Sequence, residues 1–308
     1  MSMSEAVELR EKPSAETMYM IVGWQQWADG GSVSSGLPRF LVQQTSAKKI
    51  GNIKPDGFYL FQIPGTHDLV RPIVEFSDGY PENLETPSNT FYYTEQDDIG
   101  LVFFTGDEPH MDVERYVQAI LDVATELKVQ RIITCAGVYG EMPYDKARLV
   151  SAIYSNLALK PELDKLSVNY SDYHGGASIG SYLCRRAADA DMDCIGLYAF
   201  IPTYDFSALF QAAQGIRIEN DFGAWHGILR RINHMLKTRF DLTEIEEKYE
   251  ELTRTIEERI NELDAQSPDV GIRAYVEQIA EGFEEVVFDP LEEVWEQEIN
   301  RLFDDDEE

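Results

Sequence analysis

The sequence contains no Walker-type phosphate loop, no GxGxxG following a strand-like run and no HExxH. Each absence removes a chemistry: P-loop nucleotide hydrolysis, dinucleotide-dependent transfer of the Rossmann kind, and zinc proteolysis of that type. Cysteine is scarce. Cys135, Cys184 and Cys194 form no CxxC and no zinc spacing. Cys135 and Cys194 lie in apolar runs, where free cysteine behaves as a small hydrophobe, which fits a reducing compartment. The five histidines (His67, His110, His174, His226 and His234) show no paired spacing with carboxylates, so neither a metal site nor a cofactor is expected. No apolar run approaches the ~20 residues that span a bilayer, and the N-terminus lacks the apolar stretch of a signal peptide. A soluble, cytoplasmic protein is expected. Positive charge is also short, with 26 Lys/Arg against 56 Asp/Glu and a formal net charge of −30. Such a field repels phosphate backbones and anionic lipid, so neither nucleic acid nor a membrane is an expected partner.

What is present reads as an α/β protein. The chain has 308 residues and is 44% hydrophobic, enough for a full core. Residues 131–143 (RIITCAGVYGEMP) set the pattern. Ile132, Ile133 and Cys135 form a short apolar run that stops at Gly137, as a buried parallel strand entering a loop does. Residues 17–22, 99–104, 166–170 and 194–200 repeat it. Phe58–Gln62 and Arg71–Phe76, on either side of the loop IPGTHDL, predict a long-looped hairpin outside the parallel core. Helices are predicted after the loop GWQQWADGGS with a late start or bend at Pro38, over 112–128 with Asp112 as N-cap, near 145–158 and near 179–189. The alternation predicts a mostly parallel sheet flanked by helices.

Beyond about Gly215 the strand signals stop. Phe222, Trp225, Leu229, Ile232 and Leu236 mark one helix. Asp241 to Glu244 opens a second in the manner of a capping box. Its narrow stripe (Leu242, Ile245, Tyr249, Leu252, Ile256, Leu263) suits an interface helix or short coiled coil, and such helices must dock on the core or on another subunit. A further amphipathic stretch carries Tyr275, Ile279 and Phe283, and Asp289-Pro290 opens a last helix before the acidic end DDDEE. The expected organisation is a loose N-terminus (1–16), an α/β core domain (17–240) and an acidic helical extension (241–308). The extension carries a net charge of −20 and the rest −10, for which solubility is the plainest account.

In an open α/β sheet, ligands meet the protein where the carboxyl ends of the strands release their loops. Those loops offer Asp29, Glu108, Glu141 and Ser178 as candidate catalytic groups. Gly23, Trp24, Gly30, Gly106, Asp107, Gly137, Tyr139, Gly176 and Gly180 are the candidate pocket residues. Gly176-Ala177-Ser178-Ile179-Gly180 matches GxSxG, the turn that exposes a nucleophilic serine at a strand end. Here the polar stretch SDYHG precedes it. A triad would also need Asp205 or Asp221 and then His226 or His234, and both histidines fall inside a predicted helix. Close turns and tight helix packing explain the glycines more simply. Asp107 and Glu108 could serve acid–base chemistry or hold Mg²⁺, but they equally favour the N-terminus of helix 112–128 through its dipole. Trp24, Trp27 and Tyr139 read as packing or interface residues. No catalytic residue is assigned.

Several stretches in order resemble one family. Residues 19–30 (YMIVGWQQWADG), 58–79, 101–110 (LVFFTGDEPH), 132–143 (IITCAGVYGEMP), 174–183 (HGGASIGSYL) and 194–204 (CIGLYAFIPTY) look like successive blocks of the proteasome assembly chaperone family, second-subunit type. The likeness covers roughly 17–260 and is greatest to bacterial members with an acidic helical tail. The resemblance implies an α/β domain similar to purine nucleoside phosphorylase, and oligomeric assembly. In eukaryotic and archaeal relatives it implies binding to proteasome α-subunits, often through a C-terminal hydrophobic-Tyr-X tripeptide. This sequence ends Asp306-Glu307-Glu308, which puts docking by that route in doubt. The family supplies no agreed catalytic residues, and the ligase label given to some members finds no nucleotide loop here.

Two functions follow as expectations. The first is a non-catalytic protein-binding or assembly factor that self-associates. The second is a small-molecule hydrolase or phosphorylase-like enzyme using the strand-end loops. A nucleoside ligand would then need an anion site, for which Arg39, Arg148 and Arg185 are available.

Overall fold

Apolar residues on both faces of four strands build the centre of the molecule, as parallel strands covered by helices require. The computed structural model describes residues 4–25, 27–62, 71–206 and 215–288. The loop IPGTHDL with His67, and the helix expected from Asp289-Pro290 with the acidic end, lie outside the described residues. In chain order the elements are β1 (Val7–Leu9), β2 (Thr17–Gln25), α1 (Val33–Gln44), β3 (Lys48–Ile53), β4 (Ile73–Ser77), β5 (Tyr80–Glu85), β6 (Asn89–Gln96), β7 (Ile99–Asp107), α2 (Val113–Glu126), β8 (Arg131–Gly140), β9 (Val150–Tyr154), α3 (Lys160–Leu163), β10 (Asn169–Tyr170), α4 (Ile179–Asp189), β11 (Asp193–Tyr204), β12 (Ile216–Arg217), α5 (Phe222–Leu236), α6 (Thr243–Gln266) and α7 (Ile272–Glu281).

The main sheet runs β1-β3-β6-β7-β2-β8-β11-β9-β10, with β12 paired to β11. Strands β7, β2, β8 and β11 are mutually parallel, and β6, β3 and β1 extend one flank antiparallel. The period-2 alternation of strand side chains sorts the core into two layers. Ile21, Phe103, Ile133 and Leu197 pack with α1, α5 and α6 on one face. Met20, Phe104, Ile132 and Cys194 pack with α2 and α4 on the other. No helix among the described residues is long and apolar enough to cross a membrane.

Four expectations are corrected. Residues 145–158 do not form a helix. Val150–Tyr154 is a strand antiparallel to β11, and Leu157, expected in the helix stripe, is 80% exposed. The sequence Leu149-Val150-Ser151-Ala152-Ile153-Tyr154 fits both periods, and the open edge of β11 decides for strand. Phe58–Gln62 is not a strand either. Phe58 is fully buried against Tyr116, and its carbonyl accepts from the N–H groups of His110 and Met111. The hairpin forms instead between β4 and β5. It turns at Asp78 and Gly79, both with positive φ, as a two-residue type I′ turn demands. Residues 166–170 give only the two-residue β10. Within the stretch expected to be loose, Val7–Leu9 adds an edge strand beside β3.

Helix α6 docks on its own chain, the first of the two arrangements that its stripe allowed. Ile245, Ile256, Ile260 and Leu263 are buried in the same core layer as α5. The hairpin is the opposite case. Val74 and Leu84 stand directly opposite each other, and Phe76 shares their face through the pleat. Their exposures are 44%, 60% and 63%, so among the described residues nothing covers this apolar face.

Candidate functional site

The four parallel strands release their loops along one edge. There the chain closes on itself. The crevice between β2 and β8 is bridged by a parallel contact of Asp29 with Gly137, and the Gly137 N–H donates to Ala28 O at 2.9 Å. The approach is so close that a Cβ on Gly137 would lie 1.9 Å from Gly30 O, which only glycine permits. Gly23 is constrained in the same way by α1, since a Cβ there would lie 1.8 Å from Ser34 O. The expected pocket glycines 23, 30 and 137 therefore serve backbone packing.

Each candidate acid also has an internal partner. Asp29 Oδ1 accepts from the Ser35 N–H at 2.8 Å, holding the first turn of α1. Burial raises its pKa, and the Ser35 hydrogen bonds partly offset that. Glu108 spans two elements. Its Oε2 accepts from the Trp27 N–H and its Oε1 from the Ile179 N–H, each at 3.0 Å. Burial raises the Glu108 pKa, while these two N–H donors pull it back. The second bond places a carboxylate on the N-terminus of α4, where the helix dipole favours an anion. The expected role of Asp107 and Glu108 at the start of α2 is thus corrected. Asp107 Oδ2 accepts from the Ser88 N–H, and Glu108 serves α4. Asp112 does not cap α2 with its side chain and pairs with Arg115 instead.

Ser178 is the N-cap of α4, its Oγ accepting from the Ser181 N–H at 3.3 Å and meeting Tyr198 Oη at 3.2 Å. Burial pushes Tyr198 up to about 12, so this phenol stays protonated near neutrality. The preceding residues 171–177 are coil, so the GxSxG match is a capped helix start. His226 and His234 belong to α5, which packs on the opposite face of the sheet from α4. His226 meets Glu246 at 3.1 Å, and Asp221 is buried against Arg148, so the triad does not assemble.

Glu141 lies apart from this cluster and accepts from Tyr275 Oη at 2.9 Å. Tyr139 Oη accepts from the Gly31 N–H and donates to Ile218 O at 2.9 Å, beneath the Arg217 guanidinium. Trp24 is buried and donates from Nε1 to Tyr116 Oη at 3.0 Å. Gly106 packs against Asn89 and Tyr116, Gly180 faces Thr134, and Gly176 stands in open space. Arg39 donates to Gln25, and Arg185 pairs with Asp189. Two clefts lie elsewhere. One, of about 450 Å³, is lined by Tyr144, Asp145 and residues 249–257 of α6. The other, of about 220 Å³, lies between α5, the loop 145–148 and residues 285–288. Sequence reasoning predicted neither cleft, although it offered Arg148 of the second as a candidate anion ligand. The arginines of that cleft, Arg148 and Arg231, are spread over two elements with no local motif. Among the described residues no group of three or more His, Cys, Asp or Glu could hold a metal ion.

An α/β protein with a helix-covered, mixed sheet and a self-filled strand-end crevice is the class that these features define. The chain belongs to the PAC2 family, whose model matches residues 23–260. Solved structures agree with that fold. The proteasome-assembly chaperone homologue Rv2125 of Mycobacterium tuberculosis superposes with a TM-score of 0.69 at 19% identity, covering 84% of this chain and 100% of its own. A PAC2 family protein from Streptomyces avermitilis gives 0.68 at 19% identity, covering 84% and 99%. PbaB of Pyrococcus furiosus, an archaeal proteasome activator, gives 0.58 at 20% identity, covering 83% and 98%. No curated protein matches the chain significantly.

Proposed function

We propose that this protein is a non-catalytic, assembly-chaperone-like factor that binds other polypeptides and associates with itself in the cytoplasm. Membership of the PAC2 family supports the reading, as do relatives described as a proteasome-assembly chaperone homologue and a proteasome activator. Three free, buried cysteines suit a reducing compartment. At the strand-end edge, the groups that a hydrolase would use are engaged as helix caps and loop ties.

The observation that carries the reading is the bare apolar face of the β4–β5 hairpin. A two-stranded hairpin is marginal in water unless something covers an apolar face. The occupant proposed is a second copy of this chain. Two such faces laid together cover both sets of Val74, Phe76 and Leu84. The pleat turns Glu75 and Glu85 to the opposite side, and Glu82 falls at the bulge between the Asn83 and Pro81 pairings. Light scattering on the full chain tests this against the triple substitution Val74→Ser, Phe76→Ser, Leu84→Ser. The wild type is expected as an oligomer and the variant as a monomer. An identical mass for the two overturns the self-association surface.

A further inference from the structure

The cleft of about 220 Å³ beside α5 combines features that a structural clamp does not need. Arg231 on α5 is only 2% exposed. It donates from Nε to Leu166 O at 2.8 Å, from Nη1 to Gly227 O at 2.8 Å and from Nη2 to Ser167 O at 2.9 Å. Among the described residues no carboxylate pairs with it. A buried charge held only by carbonyls is costly, and its desolvation together with nearby Arg230 pulls its pKa down to about 10.

A second buried arginine lines the same cleft. The Arg148 side chain is fully buried, donates from Nε to Asp221 Oδ2 at 2.8 Å and from Nη1 to Tyr144 O and Lys146 O. Its Nη2 is buried with no hydrogen-bond partner among the described residues. Two buried guanidinium groups thus meet one small cleft, which Arg230 and Asp145 also line, in a chain of net charge −30, a placement that composition does not explain. The chain itself supplies a carboxylate at the rim. Glu285 Oε1 accepts from the Ala147 N–H at 2.8 Å, and its Oε2 lies 3.8 Å from Lys146 Nζ. The ring of Phe288 lies over Arg231, 5.0 Å from its guanidinium carbon.

We propose that this cleft is an anion-binding site for a carboxylate or phosphate group, with Glu285 as a rim carboxylate whose like charge opposes the ligand. The guanidinium fork matches both groups through paired N–H donors. Anchoring of residues 166–167 by Arg231 accounts for two of its three hydrogen bonds, and the third goes to Gly227 O in its own helix. Neither accounts for a second buried arginine with an idle nitrogen.

Calorimetric titration of the full chain tests the proposal, with inorganic phosphate and succinate as separate probes in chloride buffer. Saturable binding of either probe is expected, and the tighter of the two identifies the group preferred. Glu285→Gln removes the opposing rim charge and should tighten binding roughly tenfold, the scale of one like charge close to a surface site. Arg231→Met should abolish binding in a variant whose circular dichroism matches the wild type. If that variant does not fold, the Glu285→Gln comparison decides alone, since Glu285 is a partly exposed side chain. No saturable binding in either wild type or Glu285→Gln overturns the site. So does equal affinity in those two proteins, or unchanged binding in a folded Arg231→Met.

Discussion

At the strand-end edge Asp29, Glu108 and Ser178 each hold a backbone N–H of their own chain, and Gly137 fills the crevice between β2 and β8. On the β4–β5 hairpin, no described residue hides Val74, Phe76 and Leu84 from solvent. An α/β fold ordinarily holds ligands at the first place and asks nothing of the second. Here polar groups are satisfied where chemistry is expected, and apolar surface is left open where packing is expected. Unsatisfied apolar surface calls for a partner, whereas satisfied polar groups need none. The contrast moves the search for function from the crevice to the outside of the molecule.

The sharpest way to break the closed edge is through Asp221. Its N–H donates to Gly31 O at 2.9 Å, its Oδ1 caps α5 through the Ala224 N–H, and its Oδ2 takes Arg148. Asp221→Ala strands a fully buried guanidinium and uncaps the helix. A loss of about 3–5 kcal/mol is expected in urea unfolding. A loss below about 1 kcal/mol would mean that the edge is not held together by this pair.

Glu108 provides a smaller test with a pH signature. In Glu108→Gln one of the two N–H donors faces an amide nitrogen, which cannot accept. The expected cost is about 1–2 kcal/mol. Burial raises the folded pKa above the ordinary 4.5, so between the two values the folded chain binds more protons than the unfolded one. Wild-type stability relative to the variant therefore falls as pH rises through that window. The deficit of Glu108→Gln should be greatest near pH 4 and narrower at pH 7. A deficit that grows with pH would show that the ionised carboxylate is the better tie, and that the two N–H donors outweigh burial.

The central strands were legible because a buried parallel strand advertises itself as an apolar run ending in glycine, as Ile132 to Gly137 does. Helices α2 and α4 were legible from a 3.6-residue stripe. The flank strands β3 and β6 were not, since Lys48–Ile53 and Asn89–Gln96 mix polar residues with apolar ones along half-covered strands. The hairpin had a signal that could have found it. Asp78-Gly79 is the dipeptide of a type I′ turn, and it follows the predicted strand by a single residue. Asp29, Glu108 and Ser178 meet at that edge while Glu141 turns to Tyr275, and the roles of none of the four were readable. Whether Glu108 faces solvent or the Ile179 N–H depends on how α4 packs across β11 and β8, which no local pattern encodes. Arg148 and Asp221 lie 73 positions apart and meet only in the fold.

The smallest expected effect is on the open side of the comparison. Replacing Val74, Phe76 and Leu84 by serine removes apolar surface that the single chain never buries. Exposed substitutions away from caps and cores usually change stability by no more than about 0.5 kcal/mol. At concentrations where the chain is a monomer, the urea midpoint of the triple variant should match the wild type. At higher concentration the wild-type midpoint should rise and the variant's should not, because association stabilises only the state that can form it. A variant that loses several kcal/mol even when dilute would show that these residues hold the monomer together. The contrast between a closed edge and an open hairpin would then collapse into one continuous core.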